Sequence, residues 1–407
     1  MKKTAILAIV LILLLSGCST GGNGKREVDL TDWDAVTAAA KGTTVTFYGW
    51  GGSELVNNWI DQQLIPYCKN NYSITVERVP MDIDMILNKL AGDKSAVNDA
   101  GSIDVIWING ENFATAKKNG LLYGAFCEYL PNYTAYIDAN SEEVTTDFGV
   151  AIDGCEAPYS KAQLVFICDG AVVKNPPRSA TKLLDFCKAN PGAFTYEAPP
   201  GFTGSAFVRN IIYEICSYES VRNLPADKET VRAAIAPAIA YLRELNPYLW
   251  EGGKTFPATY AQADSMFMDG QLLLSMSYDP YHSSSMVAQG QYASTAQTFV
   301  FDRGTIGNTN YTSITYNSQN VPGALCLINA ILSVPMQAGK LDPSVWGALP
   351  VLDMERLTPE DTAAFSAIDT GAGSLSGQEL LSHRLPELPA YLVPIIEDIW
   401  LEEVPGK

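Results

Sequence analysis

Aromatic and acidic side chains stand together where predicted strands end. The aromatic members are Trp50, Trp107, Tyr278 and Tyr281, and the acidic members are Glu111 and Asp279. An aromatic face attracts a cation through its quadrupole, and a nearby carboxylate supplies a full negative charge. This combination predicts a seat for a heteroaromatic cation. The two tryptophans are also typical of a packed core, and Glu111 of a helix's first turn.

Glycines and small polar residues lie beside them at predicted helix starts. They are Gly52, Ser53, Asn109, Thr203, Gly204 and Ser205. Free backbone N–H groups and the helix dipole favour a phosphate or carboxylate there, although Ser53 and Ser205 are equally typical of simple N-caps. A ligand that carries both a heteroaromatic cation and an anionic group would meet both demands. A sugar is the next interpretation, followed by an amino acid or a polyamine.

Motifs for catalysis are scarce. Neither of the two histidines, His282 and His383, lies in HExxH, and no GxSxG motif occurs after residue 17. Glu111, Glu156 and Asp279 could supply the carboxylate pair of an extracellular glycoside hydrolase, two acids about 5 to 10 Å apart, and this is the enzymatic alternative. No GxxxxGK[ST] phosphate loop is present. We therefore expect a binding protein without catalytic residues, cofactor or metal.

Three strand–helix units position the first group of residues. Predicted strands span residues 44–50, 73–79 and 103–108, and predicted helices span 53–65, ending before Pro66, then 82–91 and 109–118. Strands that alternate with helices pair in parallel, and ligands bind at the carboxyl ends of such strands. This places residues 50–53 and 107–111 at one edge of a sheet.

A second set of strands and helices follows. Predicted strands span 162–168, 194–196 and 272–278, and predicted helices include 207–215 and 227–245. Residues 304–320 are polar and typical of turns, and residues 324–334 are apolar. We predict lobe 1 over 33–160 and 288–357, lobe 2 over 161–287, and a helical C-terminal segment over 358–407.

Residues 1–17 have the pattern of an export signal. Lys2 and Lys3 precede an apolar run from Ala5 to Leu15, which is too short to span a bilayer. The residues Leu-Ser-Gly before Cys18 resemble a bacterial lipobox, which implies that Cys18 is acylated. Residues 18–32 would form a flexible tether, so we expect a body outside the cytoplasmic membrane, anchored by lipid.

Composition narrows the class of protein further. A chain of 407 residues that is 47% hydrophobic is long enough for two globular domains. Its net charge of −18 argues against nucleic-acid binding. The cysteines form no CxxC pair, so a zinc site is not expected and most should be free thiols, with a Cys155–Cys168 disulfide left open.

Several segments resemble the extracellular solute-binding proteins of ABC importers. They are the lipobox, TVTFYGW, IDVIWINGENF, APPGFTGSAFVR and FMDGQLLLSMSYDP. In particular, they resemble the YnjB family, regarded as thiamine-type binding proteins, over about 33–357; the SYDPYH stretch at 277–282 departs from that family. This resemblance implies thiamine or a thiamine phosphate as the solute, which would meet both of the demands described above. The resemblance implies an α/β, type II-like periplasmic-binding-protein fold of two lobes that close on a solute in the cleft between them. It also implies a monomer that delivers the solute to ABC permease and ATPase subunits.

Overall fold

Two β-sheets organise the chain, and the computed structural model describes residues 28–405. The predicted export signal and Cys18 lie outside these residues. The strands are β1 (Thr44–Gly49), β2 (Thr75–Pro80), β3 (Val105–Ile108), β4 (Thr146–Asp147), β5 (Val150–Ala151), β6 (Ala157–Gln163), β7 (Val165–Asp169), β8 (Leu274–Ser277), β9 (Ala296–Phe299), β10 (Thr305–Ile314) and β11 (Arg384–Leu385).

The first sheet has the order β2-β1-β3-β10-β6, with the short β11 also paired to β10. β1 pairs in parallel with β2 and β3, which confirms the predicted parallel units. β10 runs antiparallel to both β3 and β6. The second sheet is antiparallel, in the order β8-β7-β9, and β4 pairs only with β5.

Helices cover both sheets. They are α1 (Trp33–Ala40), α2 (Glu54–Trp59), α3 (Ile65–Tyr72), α4 (Ile83–Ser95), α5 (Gly110–Lys118), α6 (Pro131–Tyr136), α7 (Glu142–Thr145), α8 (Ala180–Ala189), α9 (Phe202–Cys216), α10 (Tyr218–Val221), α11 (Lys228–Leu245), α12 (Tyr260–Met268), α13 (His282–Ala288), α14 (Val321–Ile331), α15 (Val334–Leu341), α16 (Pro359–Ser366), α17 (Gly377–Ser382) and α18 (Val393–Glu403).

Each sheet has its own hydrophobic core, and we call each sheet with its core a lobe. The first core joins β1, α3 and α14 around large rings such as Trp59 and Trp346. The second joins β7, α9, α11 and α18 around Phe166, Phe207 and Trp400. Burial of this apolar surface is the main force that holds each lobe together.

Three crossings link the lobes. Only Leu164 separates β6 from β7, and its backbone N–H donates to the Ile306 carbonyl at 2.8 Å. The second crossing, 300–304, connects β9 to β10. The third follows β11, where the chain leaves the first sheet for α18 of the second core. β9 lies beyond the predicted boundary at 288 but pairs with β7, so the chain returns to the first sheet only at β10. The exact lobe limits therefore remain a proposal.

Three predicted elements differ from the structure. The helix predicted to end before Pro66 continues through a π-helical turn at Ile60–Leu64 into α3, where the proline stands in the first turn and needs no N–H partner. Residues 194–196 are not a strand. Residues 305–314, expected to be turn-rich, form β10, because hydrogen bonds from β3 and β6 satisfy the backbone of this polar segment.

The described residues contain no single helix long and apolar enough to cross a membrane, although α14 and α15, bent by 54°, meet the length and hydropathy test as a pair. Both helices contribute to the first core. The seven cysteines within 28–405 are free thiols in the structure, including Cys155 and Cys168.

Candidate functional site

An exposed tryptophan marks the edge of the first sheet. Trp50, directly after β1, is 43% exposed, and its ring lies edge-on to Trp107 of β3, with 6.3 Å between centroids. A Cβ atom at Gly52 would lie 2.4 Å from the Trp50 indole, so this glycine makes room for the ring. The structure therefore brings three of the predicted residues together.

Trp107 belongs to an aromatic cluster, which we define as Trp59, Trp107, Tyr159 and Trp346, and it packs on the buried rings of Tyr159 and Trp346. The Trp107 ring lies 5.1 Å from Tyr159 and 6.4 Å from Trp346. Lys340 lies beneath, with its Nζ 4.7 Å from the centre of the Tyr159 ring, and burial lowers the pKa of this lysine. This packing fixes Trp107, and Trp107 in turn supports Trp50.

Asp279 connects the second sheet to this cluster. It follows β8, and its Oδ1 accepts a hydrogen bond of 3.2 Å from Trp346 Nε1. Burial raises the pKa of Asp279, and the nearby His282 opposes this shift only in part. His282 itself contacts Asp264 at 3.1 Å through Nε2. Tyr281, by contrast, packs in the first core and is 2% exposed, so the structure does not bring it to the same surface.

A second polar group, which we call the arginine cluster, comprises Arg209, Glu387, Tyr278, Ser205 and Glu397. Arg209 Nε and Nη2 each donate to the Glu387 carboxylate at 3.0 Å. Tyr278 donates to the same carboxylate at 3.0 Å, and Ser205 donates to Glu397. Two predicted residues thus contact an ion pair that the sequence did not indicate.

Glu111 faces this cluster from the first lobe. It lies in the first turn of α5, and burial raises the pKa of its carboxyl, while Arg209 lowers it and Glu387 raises it. Within the described residues neither Glu111 nor Asp279 forms a salt bridge. Both carboxyls are therefore available as partners for a cation, although Trp346 already donates a hydrogen bond to Asp279.

Internal contacts occupy the predicted anion-binding positions. The Glu197 carboxyl lies against the start of α9, where a Cβ atom at Gly201 would be 2.2 Å from its Cδ; burial raises the pKa of this carboxyl, and the backbone N–H groups of Thr203 and Gly204 lower it. Ser53 accepts from the Val56 N–H at 3.4 Å and is an N-cap of α2. The N-terminus of α9 thus already holds a carboxylate of the protein itself.

Asn109 lies at the base of the site, at the end of β3. Its Nδ2 donates to Asn310 Oδ1 of β10 at 2.8 Å.

Within residues 28–405, no three His, Cys, Asp or Glu side chains are grouped so as to hold a metal ion.

Sequence reasoning missed Arg209, Glu387, Glu197 and Trp346. Arg209 follows Ser205 by one helical turn, so the helical pattern of α9 offered a signal for it. Glu387 and Trp346 lie far along the chain from their partners, and no local pattern indicates those contacts.

Comparison with known proteins agrees with this architecture. Residues 63–353 match the sequence profile of a family described as bacterial extracellular solute-binding protein. The chain is 36% identical over 329 residues to Protein YnjB of Escherichia coli K12, which covers 80% of this chain and 84% of that protein.

Solved structures share the fold at low identity. A putative spermidine/putrescine ABC transporter from Listeria monocytogenes superposes with a TM-score of 0.61 at 16% identity, covering 88% of this chain and 98% of that one. A periplasmic thiamin binding protein gives 0.59 at 16% identity, covering 89% and 96%. The fold is thus the α/β, two-lobed fold of periplasmic binding proteins. By sequence and by fold, this chain belongs to the bacterial extracellular solute-binding proteins.

Proposed function

We propose that this protein is the lipid-anchored solute receptor of an ABC importer and that it captures thiamine or a thiamine phosphate between its lobes. The observation that carries the proposal is the exposed Trp50 ring, which packs edge-on against Trp107. Trp346 contacts both Trp107 and Asp279, and neither Asp279 nor Glu111 forms a salt bridge among the described residues. A heteroaromatic cation would stack on this ring and gain charge interactions with Glu111 and Asp279.

The similar proteins are named for several classes of small solute. One is a thiamin binding protein and another a spermidine/putrescine transporter, both for solutes with positive charge, and a third has fructose-6-phosphate bound, so the fold is compatible with a cation and with a phosphate. The closed lobes would hand the solute to a permease driven by an ATPase subunit, with the receptor acting as a monomer and performing no chemistry of its own.

Calorimetry tests the choice of ligand. We expect heat of binding with thiamine or its phosphates, and Asp279→Asn should weaken that binding about 10- to 100-fold, because the cation loses a charge partner. A neutral sugar would lose much less affinity. Binding of a sugar, unaffected by Asp279→Asn and without any response to thiamine compounds, would contradict the thiamine proposal and leave solute binding intact.

Membrane fractionation tests the anchor. Cys18→Ser should release a folded protein from washed membranes, since the acylated thiol is the only attachment proposed. A Cys18→Ser protein that stays in the membrane pellet would overturn lipid anchoring at this residue.

A further inference from the structure

A gap in the first sheet lies just beyond the carboxyl end of β3. β3 pairs with β10 from Val105 to Ile108, opposite Ile314 to Tyr311. β11 pairs with the same edge of β10 only at Thr305 and Ile306. Residues 307–310 therefore have no strand neighbour on this edge among the described residues, at the position where α/β sheets bind ligands.

The Arg384 side chain crosses this gap. A Cβ atom at Gly307 would lie 2.6 Å from Arg384 Nε and 2.8 Å from its Cγ, so the arginine lies flat against the glycine. The side chain is only 6% exposed, and it lies near Tyr278 of the second lobe and Tyr311 of the first. The guanidinium is thus placed between the lobes.

Arg384 has only a long, shared ion pair for a side chain so deeply buried. Its Nη1 contacts the Glu143 carboxylate at 3.6 Å, too far for a hydrogen bond, and has no hydrogen-bond partner among the described residues. Lys161 contacts that same Glu143 at 2.7 Å. Two cations therefore share one carboxylate, and the group of Lys161, Arg384 and Glu143 keeps a net positive charge in a chain of net charge −18.

Arg209 is a buried arginine of this protein whose guanidinium is fully paired with a carboxylate, and it serves as a comparison for Arg384. Both arms of its fork meet Glu387 at 3.0 Å. The Glu143 contact does not match this geometry, and Glu143 is itself 40% exposed, so it can move away from Arg384. A tetrahedral oxyanion would supply the acceptors that Arg384 lacks.

We propose that Arg384 and Lys161 form the subsite for the phosphate group of the solute, reached when the lobes separate. This inference rests on the proposed function, because it favours a thiamine phosphate over thiamine itself. It also replaces the start of α9 as the anion seat, since Glu197 occupies that position.

The test compares thiamine with thiamine monophosphate by calorimetry on the full mature protein. Arg384→Gln should lower the affinity for the monophosphate about 30-fold and that for thiamine less than about 3-fold, because only the monophosphate loses a charged hydrogen-bond donor. Arg356→Gln, at a surface arginine paired with Asp353, is the control and should change neither affinity. Equal losses for both ligands would overturn the subsite.

A second readout keeps the subsite separate from the thiamine proposal. Inorganic phosphate should raise the melting temperature of the wild type and not that of Arg384→Gln, whichever organic solute binds. Lys161→Gln serves if Arg384→Gln fails to fold, and it should lose the same response. If phosphate does not stabilise the wild type, or stabilises the variants equally, the subsite is wrong, while failure of thiamine alone would contradict only the proposed function.

Discussion

The two lobes differ in whether their buried charged side chains have a partner of opposite charge. In the second lobe, Arg209 donates two hydrogen bonds to the Glu387 carboxylate, and the two charges neutralise each other. In the first lobe, neither carboxylate oxygen of the buried Glu156 has a hydrogen-bond partner among residues 28–405, and Lys340 meets aromatic rings and the Tyr159 carbonyl instead of an acid. A buried pair that is complete leaves no uncompensated charge until one partner is removed, whereas charge left incomplete must be neutralised by a proton or by a ligand.

The largest effect should come from breaking the completed pair. Glu387→Gln leaves the Arg209 guanidinium buried without its counter-ion, so the free energy of unfolding should fall by about 3 to 5 kcal/mol. Glu402→Gln is the control, because its contacts with Lys228 and Arg232 lie at the surface, where solvent screens them, and the variant should change stability far less. Urea unfolding measures the free energy of unfolding of the two variants. Similar losses for Glu387→Gln and Glu402→Gln would show that the buried ion pair contributes no more to stability than a surface ion pair.

The next largest effect concerns the aromatic surface of the first lobe. Trp50→Ala should weaken solute binding by about 2 to 4 kcal/mol, roughly 30- to 1,000-fold, because the stacked ring and its cation contact are lost. Its exposed position means that stability should hardly change. Tyr391→Ala, at another exposed aromatic residue, is the control for calorimetry. Wild-type affinity in Trp50→Ala would remove this ring from the site.

The smallest effect concerns the pH dependence of stability that the buried Glu156 gives to the first lobe. Burial raises the pKa of Glu156 well above its ordinary value of 4.5, so the folded chain keeps a proton that the unfolded chain loses above that pH. Glu156 therefore makes stability fall as the pH rises through this window, by at most about 1.4 kcal/mol per pH unit. Glu156→Gln should flatten this decline.

Urea midpoints at about pH 5 and pH 7 measure the slope. Glu142→Gln, at an exposed acid of α7, should keep the slope of the wild type. A wild-type slope in Glu156→Gln would mean that Glu156 is ionised in the folded protein and has a partner after all.

The sequence predicted the first lobe better than the contacts across the site. The alternation in TVTFYGW predicts β1, because Val45 and Phe47 must face a core, and the glycine and serine that follow predict the start of α2. Parallel pairing then places Trp50 and Trp107 at one edge. These inferences need only neighbouring residues and the chirality of crossovers.

Contacts between distant segments could not be predicted in this way. β10 contains Asn308, Thr309 and Asn310, and such residues indicate a turn unless two other strands supply hydrogen-bond partners. Arg384 and Glu387 come from a segment that was predicted only as helical pieces. Arg384 is positioned by the pairing of β11 with β10, and Glu387 precedes Leu388 of the second core, and the local spacing of residues indicates neither arrangement.

The place of β10 in the chain also sets the order in which the protein can fold. β10 lies between β3 and β6 in the first sheet, and the contact from Asn109 to Asn310 spans 201 residues. A growing chain that has not reached residue 305 holds β3 and β6 with their shared neighbour missing. Non-local pairing of this kind forms slowly. The strand order thus delays completion of the first sheet until all three strands of the second sheet have been synthesised, so the first lobe cannot fold ahead of the segment that follows it.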